Sequence, residues 1–137
     1  MHDLAELTRI VRWGVPLADQ WGIEVIHAEE GVAHLRLPAS PTLLRPGNTV
    51  SGPAIMGLVD VAMWAALLTT TQGRDNSVTS SMNVNFLRPA GPGPIVAEAR
   101  VVKGGKRMLY GEIVVRATNS DEIAAHCTTH WVVIAKP

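Results

Sequence analysis

An α+β domain, with one long apolar helix inside a mostly antiparallel sheet, is predicted from three observations. Residues Ala54 to Leu68 form a fifteen-residue apolar run broken only by Gly57 and Asp60. The stretches around it alternate apolar and polar residues with a period of two, as half-buried strands do. Polar, Gly-rich turns separate those stretches. A helix that is apolar on nearly every side has to be enclosed by other structure. In a single domain with one such helix, the enclosing element is a curled sheet.

The elements follow in order. Leu4, Leu7, Ile10 and Val11 recur at helical spacing, and Asp3 followed by Glu6 suits a helix start, so residues 3–13 read as a short amphipathic helix on the outside. Ile23–Ile26 begins a strand that turns at Glu29-Glu30-Gly31. Ala33, Leu35 and Leu37 then share one face of a second strand, with His34 and Arg36 on the other, ending at Pro38. Residues 38–51 are a loop rich in Pro, Ser, Thr, Gly and Asn, longer than most and of a length that tends to carry function. The long helix starts at Gly52-Pro53, capped by Ser51 or Gly52 with Pro53 in its first turn, and runs to about Thr70. After the turn at 73–77 come four strands, read as a meander. The first is 78–87, with Val78, Met82, Val84 and Phe86 on one face and Thr79, Ser81, Asn83 and Asn85 on the other. The second is 94–103, the third 107–118 and the fourth 122–135. Gly104-Gly105 reads as a tight hairpin needing positive φ. Nothing in the sequence splits the chain, so residues 1–137 are expected to form one domain.

Composition narrows the function classes. Apolar residues make up 47% of the 137 and charged residues only 18%, which implies that apolar surface is buried in a homo-oligomer. Twelve Lys+Arg balance twelve Asp+Glu, giving no electrostatic case for nucleic acid or an anionic membrane as partner. The single cysteine, Cys127, rules out an intrachain disulfide and reads as a small buried hydrophobe. The N-terminal MHDLAELTRIVRW has no long apolar stretch of the signal-peptide kind. The longest apolar run falls short of the ~20 residues of a membrane span. A cytoplasmic protein is expected.

The stretch Ser51 to Ala62, SGPAIMGLVDVA, resembles the PaaI-like thioesterase signature HGGxxxxLxDxA, with Leu58, Asp60 and Ala62 in register. MNVNFLRPA (82–90), VVKGGKR (101–107) and AAHCTTHWVV (124–133) resemble the same family's following strand, hairpin and last strand. The similarity spans roughly residues 20–135. It departs at the motif itself, where His-Gly-Gly is Ser51-Gly52-Pro53, and in the preceding loop, where Arg45 stands in place of a frequent asparagine. The resemblance implies the hotdog fold and hydrolysis of an acyl-CoA, aromatic or medium-chain, to free acid and CoA. It implies no metal, no cofactor beyond the CoA of the substrate, and a dimer or dimer of dimers.

Asp60 is the sharpest candidate. A carboxylate among apolar residues loses solvation unless it is paired, and such groups concentrate at functional sites, although a satisfied structural contact is the plain alternative. The resemblance makes it the nucleophile or the general base. Gly52, at a helix N-terminus, offers an unpaired N–H at the positive end of the helix dipole, suited to polarising a carbonyl or simply to capping; the matching family glycine has the oxyanion role. These two residues are eight apart on one helix, ~12 Å at the helical rise. One carbonyl needs both groups within about 3 Å. If both act on it, they come from different subunits.

Thr79 aligns with a Ser/Thr that holds the acid or a water in some relatives, yet its place opposite the Val78, Met82, Val84 face points it away from its own helix. Asn48 and Ser51 precede the helix as substrate contacts or as loop and cap residues. Trp64, one turn after Asp60, is a candidate wall of an acyl pocket. Arg88, Lys103, Lys106 and Arg107 cluster at strand ends beside Gly104, as phosphate partners of CoA or as a solvated hairpin tip. His126 and His130 share a strand face but lack metal-site partners. The four tryptophans, Trp13, Trp21, Trp64 and Trp131, read as core or interface. Two other readings remain: a non-catalytic acyl-CoA-binding protein, and a hotdog dehydratase or hydratase, which the absence of a histidine on the long helix disfavours.

Overall fold

The computed structural model describes residues 2–134. Helix α1 (Leu4–Gly14) is capped by Asp3, whose carboxylate accepts from the Ala5 and Glu6 amides at 2.9 and 3.2 Å. It buries Leu7 and Val11. Two polar contacts lock it to the first strand: Arg12 Nε donates to the Ile23 carbonyl at 2.8 Å, and the Val25 amide donates to Thr8 Oγ1 at 3.0 Å. A short helix α2 (Pro16–Gln20) follows, started by Pro16; five residues are too few to show a periodic pattern, and it escaped the sequence reading.

Strands β1 (Glu24–Glu29) and β2 (Val32–Leu37) form the expected hairpin. The loop at 38–51 is more ordered than its composition suggests. It holds a 3-10 turn at Pro41–Leu43 and a small hairpin, β3 (Leu44–Arg45) with β4 (Thr49–Val50). Gly47 (φ 95°) and Asn48 (φ 62°) make its turn, so Asn48 is there for its tolerance of the left-handed region.

Helix α3 (Gly52–Leu68) begins as expected: Ser51 Oγ accepts from the Ala54 amide at 3.3 Å, and Pro53 sits in the first turn. Strands β5 (Ser77–Phe86), β6 (Ile95–Lys103), β7 (Met108–Ala117) and β8 (Ala125–Val133) complete one antiparallel sheet, in the order β1-β2-β6-β7-β8-β5. The end of the last strand expected at 135 lies outside the described residues. The four strands are not a simple meander. β6 leaves β5 to pair with β2, which joins the N-terminal hairpin to the sheet, and β5 lies against β8 at the opposite edge. That exchange curls the sheet around α3 and gives the hotdog arrangement.

The helix fits because the sheet's inner face is small where they touch. Ala33, Ala97, Ala99 and Gly111 line it, and a Cβ on Gly111 would run into Met63. Leu58, Leu67 and Leu68 of α3 are buried, each worth ~1.5–3 kcal/mol of burial. Enclosure is incomplete, however. Pro53, Met56, Asp60 and Trp64, at successive helical turns, form a stripe that the chain's own sheet leaves partly open.

Three further expectations change. Neither Gly104 nor Gly105 has positive φ. The β6–β7 connection is a wider loop, and Gly105 is needed because a Cβ there would meet the Met108 carbonyl oxygen at 2.6 Å. Of the two places expected for Trp13, core or interface, its 83% exposure excludes the core. A register shift between Thr79 and Ser81 leaves Ser80 without a partner on β8; this bulge reverses the alternation, so Val78 faces out and Thr79 faces in. No helix among the described residues is long and apolar enough to cross a membrane.

Candidate active site

Asp60 lies midway along α3 on the open stripe, half-buried. Thr79 Oγ1 donates to Asp60 Oδ1 at 2.6 Å. The contact exists because of the Ser80 bulge: without it, strict alternation would turn Thr79 outward, as the sequence pattern suggested. Asp60 Oδ2 has no hydrogen-bond partner among the described residues and remains available to a substrate or a water. The two residues open onto a cleft of ≈ 370 Å³ whose walls include Val15, Val61, Trp64 and Trp131. Trp131 is only 4% exposed, and its indole N–H finds no partner among the described residues. Burial first, and then the nearby Asp60 carboxylate, push the Cys127 thiol up to about 11, so this cysteine is a protonated wall residue of the core.

Gly52 opens onto a different cleft, ≈ 340 Å³, shared with Arg45, Ile55, Phe86 and Arg88. Its amide has no acceptor among the described residues, while the neighbouring Ser51 amide bonds Leu43 and the Ile55 amide bonds Ser51. Gly52 and Asp60 therefore serve separate clefts in one chain, as the ~12 Å helical spacing required. Ser51 is occupied as the helix cap. Asn48 is exposed at its turn and lines neither cleft.

The basic cluster expected from Arg88, Lys103, Lys106 and Arg107 does not form within one chain. Arg88 follows the C-terminal end of β5, where it donates to the Ile123 carbonyl at 2.8 Å and pairs with Glu122 at 3.2 Å. Lys103 ends β6, and Gly104, Lys106 and Arg107 follow in the β6–β7 loop, at the end of the sheet where β5 begins, since the Arg107 carbonyl accepts from Val133 and Val133 pairs with Ser77. Strand β5 runs the length of the sheet between them, roughly 30 Å at the strand rise. On the outer face, His126 Nε2 meets Glu112 Oε2 at 2.7 Å and Arg100 reaches the other oxygen at 2.8 Å. That hydrogen bond from His126, ahead of Arg100, holds the Glu112 carboxyl below its usual range. His130 lies against Ser81 and the Tyr110 ring. Among the described residues no three His, Cys, Asp or Glu side chains come together to hold a metal ion.

Sequence reasoning missed Gly14, Val15, Trp131 and the Asp75–Ser77 turn as parts of the Asp60 cleft. They come from three distant segments, and no local motif marks them.

The sequence profile of the thioesterase superfamily matches residues 47–124, more than half of the chain. The chain belongs to the thioesterase superfamily. Thioester hydrolysis is the activity class of that family. A Saccharolobus solfataricus protein provisionally named an esterase is 33% identical over 112 residues, covering 82% of this chain and 73% of its own. A conserved protein of Pseudomonas aeruginosa superposes with a TM-score of 0.80 at 28% identity, over 86% of this chain and 93% of that one. The E. coli PaaI protein of the phenylacetic acid degradation operon shares the fold, with a TM-score of 0.82 at 21% identity and 97% of each chain covered. The matched span of this thioesterase-superfamily chain includes Gly52, Asp60, Thr79 and Arg88.

Proposed function

We propose that this chain hydrolyses acyl-CoA thioesters carrying an aromatic or medium-chain acyl group. Asp60 is the acid that acts on the thioester, Thr79 orients it, and the Gly52 amide of the partner subunit polarises the carbonyl. The observation that carries this reading is the Thr79–Asp60 hydrogen bond, which fixes one carboxylate oxygen and leaves the other facing a mostly apolar cleft.

Two courses fit that geometry. As general base, Asp60 takes a proton from water as the oxygen attacks the carbonyl carbon. The Gly52 N–H holds the tetrahedral oxyanion, the C–S bond breaks, and the thiolate recovers the proton from Asp60, giving free acid and CoA. As nucleophile, Asp60 attacks the carbonyl, expels CoA thiolate and forms a mixed anhydride that water then cleaves. The need for a second copy is supported by the open α3 stripe and by the exposed edge strand β5, where Phe86 is 51% exposed. A two-fold pairing that brings Asp60 to the partner's Gly52 also brings the Lys103–Arg107 loop towards Arg88 of the partner subunit, assembling the cations that meet CoA phosphates.

Thiol release from short, medium, long and aromatic acyl-CoAs, measured for wild type and Asp60→Asn side by side, tests the proposal. Wild type is expected to turn over part of the panel, and the variant to lose at least ~10²-fold in kcat. Equal rates for the two proteins make Asp60 structural. A wild type that binds acyl-CoA and releases no thiol moves the chain to the non-catalytic binders of this fold.

A further inference from the structure

Trp64 sits one turn beyond Asp60 on α3, and both line the same cleft. Its indole lies over Gly14, the last residue of α1. A Cβ on Gly14 would stand 2.5 Å from Trp64 Cη2 and 3.0 Å from Cζ3, so the ring has its place only because residue 14 has no side chain. The Gly14 backbone does not require glycine, since its φ is not among the positive ones. What glycine supplies here is room for the ring. Gly14 itself is a cleft-lining residue, together with Val15.

From these contacts we propose that Trp64, seated on Gly14, is the end wall of the acyl pocket and restricts the substrate to compact, preferably aromatic, acyl groups. Four residues separate Asp60 from Trp64, ~6 Å along the helix axis. An acyl group whose thioester is held at Asp60 meets the indole within that distance. A flat ring stacks or packs edge-on against it, whereas a long extended chain collides with it. Val61 and Trp131 add apolar wall to a cleft that Asp75, Asn76 and Ser77 also line, the mix of apolar surface and a few polar groups that suits an aryl body.

The inference rests on the Asp60 cleft being the thioester site, and the two fail separately in one experiment. Trp64→Ala, Trp64→Phe and Gly14→Ala are compared with wild type on phenylacetyl-, benzoyl-, hexanoyl- and dodecanoyl-CoA, with circular dichroism to confirm folding. Removing one methylene's worth of fit in an apolar pocket changes discrimination by ~10–200-fold. Trp64→Ala is therefore expected to raise the dodecanoyl-to-phenylacetyl ratio of kcat/KM at least ~10-fold, and Trp64→Phe to keep the wild-type order. Gly14→Ala pushes the indole into the cleft, and is expected to lower the phenylacetyl-to-hexanoyl ratio. Folded Trp64→Ala and Gly14→Ala proteins with the wild-type order of preference overturn the proposal. If wild type releases no thiol, the same ratios are read from acyl-CoA dissociation constants by calorimetry. A shift there upholds the wall while hydrolysis falls, and no shift overturns the wall as well.

Discussion

A site shared between subunits has a consequence that a site within one chain cannot mimic. Asp60→Asn removes the acid. Gly52→Pro removes the one amide assigned to the oxyanion and changes little else. Ser51 is already extended at φ −69°, ψ 154°, the region a following proline demands. Position 52 is the first of the helix, where proline is tolerated, and the nearest atoms to a Cβ there belong to Phe86 at 3.8 and 3.9 Å. Each single variant is expected to fall by ~10²–10³-fold in kcat, the cost of losing one oxyanion donor or one acid. Co-refolded at equal amounts, half of the dimers are mixed. In each of those, one site combines both defects, and the other combines the intact Asp60 of one chain with the intact Gly52 of the other. Activity is therefore expected to recover to about a quarter of wild type, at least an order of magnitude above either variant alone. Thiol release from a responsive aromatic acyl-CoA reports it directly. If Asp60 and Gly52 acted within one chain, every site would carry a defect and mixing would restore nothing. That result, with mixed dimers verified by differently tagged chains, refutes the shared site.

Two further outcomes are expected. Thr79→Val deletes the hydrogen bond to Asp60 Oδ1, and kcat is expected to fall by roughly 10-fold with KM little changed, while Thr79→Ser keeps the donor and most of the activity; steady-state kinetics on the same substrate checks the split. Burial, and then the Asp60 carboxylate, push the Cys127 thiol from its ordinary value of 9.0 up to about 11 in the folded chain. The folded state therefore holds the proton more tightly than the unfolded state, the contribution to stability is constant below pH 9, and it is lost as pH rises from there through about 11. A disulfide reagent at pH 8 is expected to label Cys127 only after denaturation, and labelling of the native protein at the denatured rate contradicts its burial.

The sequence carried the fold further than it carried the site. Alternation and turn residues located β2, β6, β7 and β8, and the Ser51-Gly52-Pro53 start placed α3 to within a residue or two. Strand order was not legible in the same way. Whether β6 pairs with β5 or with β2 depends on contacts between residues far apart in sequence, such as Ala33 with Ala99, which no local pattern encodes. Asp60 was readable because one charge in a fifteen-residue apolar run has few ordinary explanations. Thr79 was misjudged in orientation because period-2 reading assumes no insertion, and the extra residue, Ser80, is as polar as its neighbours. Arg88 and the Lys103–Arg107 stretch looked like one cluster because both flank strand ends, yet β7 and β8 lie between β5 and β6, and the two sets of cations sit at opposite ends of β5.

The part of the fold that looks least finished is also where the proposed chemistry sits. Leaving an apolar helix stripe and an edge strand in water has a cost, and here Met56 on α3 and Phe86 and Leu87 at the end of β5 are exposed. A second copy laid on that surface would hide them. It would also enclose Asp60, and burying an unpaired carboxylate is unfavourable by several kcal/mol. The Thr79 hydroxyl offsets part of that penalty by donating to Oδ1, while Oδ2 has no partner among the described residues. The same arrangement thus explains why the edge strand carries a bulge at Ser80. A regular β5 would pair equally well with β8, but it would turn Thr79 outward and take its hydroxyl away from Asp60.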